Sequence, residues 1–240
     1  MIGCPEADAA LSYAAYGWPV FPLRGKLPAR SKAHGGRGFH DASTDPAVVE
    51  AMWTRYPGAN VGVRTGETSG LAVLDVDAPA GIVTLTRLET ERGVLPGTVL
   101  AMTGSGGMHF LYRHRPGLGI GAAVWGPGLD LRGEGGYIVV APSVHPGTGE
   151  PYRWAGNIWQ WPLPDWPAQL PVPVLPRKAP TNVVTPLRAP ADKVLAGLLR
   201  TVLTAEPGTR NSRLNWAVSA LGWAIENGAM VNIDVAESVW

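Results

Sequence analysis

With 240 residues, 45% of them hydrophobic and spread along its length, the chain can bury a sizeable core as one large domain or as a domain with a small appendage. A formal charge of +1 and a single cysteine, Cys4, exclude an overall basic surface, an internal disulfide framework and a thiolate zinc cluster, so any phosphate-binding surface must be local. No stretch approaches the roughly 18 apolar residues of a membrane span, and residues 1–8 lack a basic-then-apolar signal pattern; a cytoplasmic protein with no membrane partner is expected.

In chain order, residues 7–16 read as a small-residue helix closed by Gly17, followed by an apolar strand over 19–23. A glycine-rich loop then gathers Arg24, Lys26, Arg30, Lys32 and Arg37, which is either a phosphate-binding segment or a plain solvated loop. Thr44-Asp45-Pro46 signals a helix start, and Val48, Val49, Met52, Trp53 and Tyr56 recur at helical spacing as one buried face. Strands are expected over 60–64 and 70–77, and a helix over 80–92 with Ile82, Leu85 and Leu88 on one side. Hairpin-like strands then follow over 98–103, 108–113, 128–132 and 137–140, so the fold class is α+β rather than a regular parallel sheet. Residues 1–170 form the expected main domain and 171–190 a proline-rich linker. Residues 191–240 carry two apolar helical stripes, a small helical module that is either truncated or packed on the main domain.

Three motifs carry chemistry. Leu71 to Asp77 is an apolar strand ending in Asp75 and Asp77, whose alternation puts both carboxylates on one face. Such a pair either lies in solvent or holds a divalent cation between like charges. Ser105-Gly106-Gly107-Met108-His109 is a glycine turn feeding a strand, either a plain hairpin or a place where amides, a hydroxyl and an imidazole meet phosphate. Asp130 and Arg132 share a strand face ahead of another glycine turn, forming either a local ion pair or a metal ligand beside a phosphate-pairing guanidinium.

In order, these motifs resemble the bifunctional DNA primase/polymerase N-terminal domain of the archaeo-eukaryotic primase superfamily. The resemblance begins at Val20-Phe21-Pro22 and Lys26-x-Pro28, and runs through Gly38-Phe39-x-Asp41-Ala42-Ser43 and Asn60-Val61-Gly62-Val63-x-Thr65-Gly66. It continues through the three motifs and ends at Ala141-Pro142-Ser143 and Tyr152-Arg153-Trp154, spanning about the first 155 residues. It implies an N-terminal α/β unit packed on an RRM-like unit with the active site between them. Asp75, Asp77 and Asp130 would be catalytic and metal-binding; His109 and Ser105, beside Gly106 and Gly107, would meet the incoming triphosphate. Arg132 and Lys26 are assigned to phosphate from their charge and motif position. Gly208-Thr209-Arg210-Asn211 resembles the start of the helical module that follows such domains, which makes Arg210 and Asn211 initiation candidates. The zinc-binding stem of some relatives and the Gly-Lys-Ser/Thr loop of a fused helicase are absent from the sequence.

The expected activity is template-dependent nucleotide transfer in the replication of a plasmid, phage or integrated element. A 3′ hydroxyl attacks the α-phosphate of a dNTP or NTP on a single-stranded DNA template. Two Mg²⁺ or Mn²⁺ ions, and no zinc, suit an all-carboxylate set. A separately encoded replicative helicase is a candidate partner. Two rival readings are a metal-dependent phosphodiesterase or nuclease and a catalytically silent single-stranded DNA-binding module.

Overall fold

The computed structural model describes residues 4–156, 158–159 and 163–172, all within one compact unit. The expected linker beyond residue 172, the helical module over 191–240, Arg210 and Asn211 lie outside the described residues.

The architecture is α+β, with antiparallel sheets and few helices. A four-stranded sheet has the order β2-β1-β3-β9, formed by Leu27–Pro28, Val20–Arg24, Asn60–Arg64 and Tyr137–Val140. A six-stranded sheet has the order β10-β5-β6-β4-β8-β7, formed by Arg153–Trp154, Val99–Met102, Met108–Arg113, Leu71–Val76, Leu129–Arg132 and Ile120–Gly121. Helices α1 (Pro5–Ala15), α2 (Pro46–Arg55) and α3 (Ala80–Arg92) complete it. The α2 start behaves as its sequence dictates: Asp45 caps the helix, its Oδ1 accepting from the Ala47 amide at 2.9 Å, and Pro46 occupies the first turn, where no amide partner is needed.

Strand β4 separates two cores. Leu71 and Val73 face a cluster that joins Val61, Val63 and Ile138 of the four-stranded sheet with Tyr13 of α1 and Trp53 of α2. Ala72, Leu74 and Val76, on the opposite face, pack on Leu85 and Leu88 of α3 together with Leu129 and Leu131. This strict alternation is the period of two that a strand covered on both sides must satisfy.

Three sequence expectations are corrected. Val48 does not belong to the buried face of α2; it is 41% exposed, while Val49 and Trp53 are buried. Consecutive residues point about 100° apart on a helix, so both valines cannot sit at the centre of one stripe. Ile82 of α3 is likewise exposed, and Gly81, Thr84, Leu85 and Leu88 form the buried face. A Cβ on Gly81 would come within 2.3 Å of the Gly128 carbonyl oxygen, so the helix start is packed by backbone rather than by an apolar side chain. Finally, the last two strands are not a hairpin: β8 pairs with β4 and β7, whereas β9 crosses to the other sheet and pairs with β3. No helix among the described residues is long and apolar enough to cross a membrane.

Candidate active site

The central position of β4 brings the predicted residues together. β6 and β8 flank it antiparallel, with Asp75 directly opposite His109 on one side and Asp130 on the other. Direct cross-strand partners have Cβ atoms only about 5 Å apart, so this register makes neighbours of residues 34 and 55 positions distant in sequence. Asp77 follows just beyond the strand, and its amide donates to the Gly128 carbonyl at 2.8 Å.

Arg132 ties the cluster. Its Nε and Nη2 donate to Asp75 Oδ2 at 3.1 and 3.0 Å, and Nη2 also donates to Asp130 Oδ2 at 2.9 Å. The sequence alternative of a local Asp130–Arg132 pair is therefore realised, but as part of a three-residue network. His109 Nε2 stands 3.4 Å from Asp75 Oδ1, while His109 Nδ1 is buried without a hydrogen-bond partner. Asp130 Oδ1 accepts from the Ala123 amide at 2.8 Å. Ala123 has φ +51°, the only non-glycine among the described residues in the left-handed region, so the backbone that reaches Asp130 is held at a conformational cost.

The two acids of β4 differ electrostatically. Burial works against ionisation of Asp75, yet the adjacent His109 and then Arg132 outweigh it and hold the carboxyl at about 2. Asp77 is pushed upward, first by burial and then by the charges of Asp75 and Asp130, with Lys26 and Arg132 only partly compensating. Burial also opposes the Arg132 charge, but Asp75 and Asp130 more than restore it. One acid is thus held ionised by fixed partners, and the other is pushed toward protonation by burial and by like charges that are only partly offset.

A cavity of about 340 Å³ opens over this cluster, bordered by residues of both sheets. Lys26, Asp75, Asp77, Ser105, His109 and Arg132 line it, as expected from the sequence, whereas Asp130, Gly106 and Gly107 do not. The Gly106 amide donates to the Thr103 carbonyl and the Gly107 amide to Thr103 Oγ1, so both close the turn itself. Gly107 has a steric role. A Cβ there would lie 2.4 Å from the Val76 carbonyl oxygen, so only glycine lets the β5–β6 hairpin lie against the end of β4.

Sequence reasoning missed several walls of the cavity. Thr103 lies two residues before Ser105, its Oγ1 3.1 Å from Ser105 Oγ. Tyr137, which opens β9, donates its hydroxyl to the Lys26 carbonyl at 3.0 Å and so fixes the loop that carries the lysine. Tyr152 is 3% exposed, and its hydroxyl is pushed up to about 12, first by burial and then by Asp75 and Asp77. Its sequence signal was its place in the closing Tyr152-Arg153-Trp154 motif, which assigned it no role.

Two antiparallel sheets with an acid–arginine–histidine cluster beside a cleft define an α+β domain built around one polar site. Residues 10–172 match the family model of the bifunctional DNA primase/polymerase N-terminal domain, Prim-Pol, and the chain belongs to this family. Its membership gives the domain a DNA primase/polymerase type of function in general terms. A search of curated protein sequences found no match.

Proposed function

We propose that the domain is a template-dependent nucleotidyltransferase that joins dNTPs or NTPs on single-stranded DNA, with Asp75, Asp77 and Asp130 as its catalytic carboxylates. The observation that carries this reading is the β4 register, which sets Asp75 between His109 and Asp130 with Asp77 at the strand end. The four-stranded sheet with α1 and α2 would be the N-terminal unit of the primase superfamily, and the six-stranded sheet with α3 its RRM-like unit.

The donor set fits a hard divalent cation in type, since it is all carboxylate and Asp77 stands close enough to Asp75 and Asp130 to feel their charge. Among the described residues no three such groups converge to hold one ion, and Arg132 occupies oxygens of both Asp75 and Asp130. Mg²⁺ or Mn²⁺ bound by the three aspartates would activate the attacking hydroxyl and neutralise the departing pyrophosphate. Arg132 would exchange a carboxylate for a substrate phosphate, which its guanidinium fork suits equally well. Lys26 and Ser105 would bind the triphosphate from two walls of the cavity, and His109, which also lines it, would help to orient it. Beyond the main domain, residues 171–190 would link to a helical module over 191–240, where Arg210 and Asn211 would assist initiation.

The test is incorporation of labelled nucleotides on a single-stranded template, with and without primer, in Mg²⁺ or Mn²⁺. Pyrophosphate release that tracks incorporation supports transfer, whereas degradation of the template without pyrophosphate would indicate a nuclease. The engagement of Asp75 and Asp130 by Arg132 favours one second reading, a DNA-binding module without catalysis. Template binding with no incorporation in either metal would select it.

A further inference from the structure

The β1–β2 turn is a wall shared by two cavities. Lys26 lines the catalytic cleft, while Arg24 and Gly25 line a separate groove of about 440 Å³, closed on its other sides by the end of α2 and by Val144 and Pro146. We propose that this groove binds the sugar-phosphate backbone of single-stranded DNA, with Arg24 and Arg55 gripping phosphates as the strand passes over the turn into the catalytic cleft. The inference rests on the nucleotidyltransferase reading only for the strand's destination.

Charge is the first ground. The twelve residues lining the groove include two arginines and no acid. Neither arginine makes an ion pair with a carboxylate among the described residues, unlike Arg37, Arg64, Arg87, Arg113, Arg132 and Arg153. The groove beside His114 is bordered by Glu67 and Glu134, and the aromatic cleft at Tyr13 and Trp154 has no cation in its lining, so neither would attract phosphate. The carboxy-terminal end of α2 is itself unfavourable to an anion, but Arg55 in its last turn counters that dipole.

Rigidity and apolar contact are the second ground. Asn60 Nδ2 donates to the carbonyls of Gly25 and Val144 at 2.9 and 2.7 Å, and Asn60 Oδ1 accepts from the Val144 amide at 2.9 Å. One buried side chain therefore braces both rims. Gly25, at φ +62°, is the first residue of the two-residue hairpin loop, and a Cβ there would press on Pro146 at 3.2 Å. The Arg55 guanidinium lies 5.7 Å from the Tyr56 ring centroid, and its Nε donates to the Tyr56 hydroxyl at 3.3 Å, which limits its freedom before any ligand arrives. Leu27, 70% exposed, and Val144, 43% exposed, present apolar surface to sugars and bases on either side of the turn. Cations on a fixed frame with apolar flanks suit a single strand whose bases are not paired.

The test compares the full chain with Arg24→Ala/Arg55→Ala and Arg24→Lys/Arg55→Lys, using labelled oligothymidylate and fluorescence anisotropy over a salt series. Removing one phosphate-binding cation should flatten the slope of log K against log salt by about 0.7, so the double alanine variant should flatten it by about 1.4, with affinity falling about tenfold at low salt. The lysine pair should keep most of the slope. Both arginines are exposed, so circular dichroism spectra should coincide, and incorporation at saturating template should match the parent. An unchanged slope in the alanine variant overturns the groove assignment, whatever the activity. A flattened slope in the alanine variant of a parent chain that incorporates no nucleotide would uphold the groove and overturn the nucleotidyltransferase reading.

Discussion

The two ends of the inner face of β4 share a strand, a sheet and the same neighbouring layer, yet they do opposite things. At Leu71 and Val73 the face is sealed against the other sheet with no measurable exposure; two residues on, at Asp75, it opens into the cleft. The apolar end fixes the strand by burial that needs no direction. The polar end depends on directed bonds from Arg132 and a contact from His109, and it continues a strand whose other end is fully buried. Stability of the fold and chemistry at the site are therefore separable along a single short strand.

Neutralising the acids should sharpen that separation most. Asp75→Asn or Asp77→Asn is expected to lower nucleotide incorporation on the order of 10³-fold, while the fold persists. For Asp77, which sits among like charges, the melting temperature should hold or rise slightly. Parent-level incorporation by both variants would remove them from catalysis. The converse change, Leu71→Ala at the apolar end of β4, should cost about 3 kcal/mol in denaturant unfolding through its cavity and the lost burial. Incorporation per folded molecule should change far less than in the aspartate variants, and a fall as deep as theirs would show that the two ends of β4 cannot be separated.

A smaller effect is expected from His109→Ala, about tenfold weaker triphosphate binding with template affinity preserved, measured by separate titrations. Equal loss of both would make His109 a packing residue of the polar end. The smallest effect tests a polar clasp away from the cleft. Glu134 Oε2 accepts from the Glu67 amide at 2.8 Å, and this bond and then Arg64 hold its carboxyl below the ordinary 4.5. A depressed folded-state pKa contributes stability above the unfolded value and loses it as pH falls through the folded one. Glu134→Gln should therefore cost about 0.5 kcal/mol at about pH 7, and the difference from the parent should fade below pH 4.5. A constant difference across that range would mean that the charge is irrelevant there.

Much of the local structure was legible because the periods are clean. The strands Asn60–Arg64, Met108–Arg113 and Tyr137–Val140 and the helix Ala80–Arg92 have the bounds that patterning gives. Pairing was not legible. Nothing local in Tyr137–Val140 indicates that it leaves β8 for β3, since a strand's partner is chosen by long-range packing. In the site, the Asp75–Asp77 spacing and the Asp130–Arg132 face were readable from alternation, but the reach of Arg132 to Asp75 requires the β4–β8 register, which no single segment contains. Tyr152 was missed for a similar reason: an apolar-looking tyrosine signals a core, and only the fold puts its hydroxyl where burial, and then Asp75 and Asp77, raise its pKa.

The close approach of Gly107 to the Val76 carbonyl also sets a tolerance. With no room for even a methyl group, this position acts as a zero-thickness shim between hairpin and strand. Any substitution would jack the two apart at the end nearest Asp77 and tilt His109 relative to Asp75, although residue 107 does not line the cleft. A saturation scan of the turn should then return an unusual profile: Ser105 graded by polarity, and Gly107 intolerant of every side chain, with Gly107→Ala as damaging to incorporation as far larger replacements.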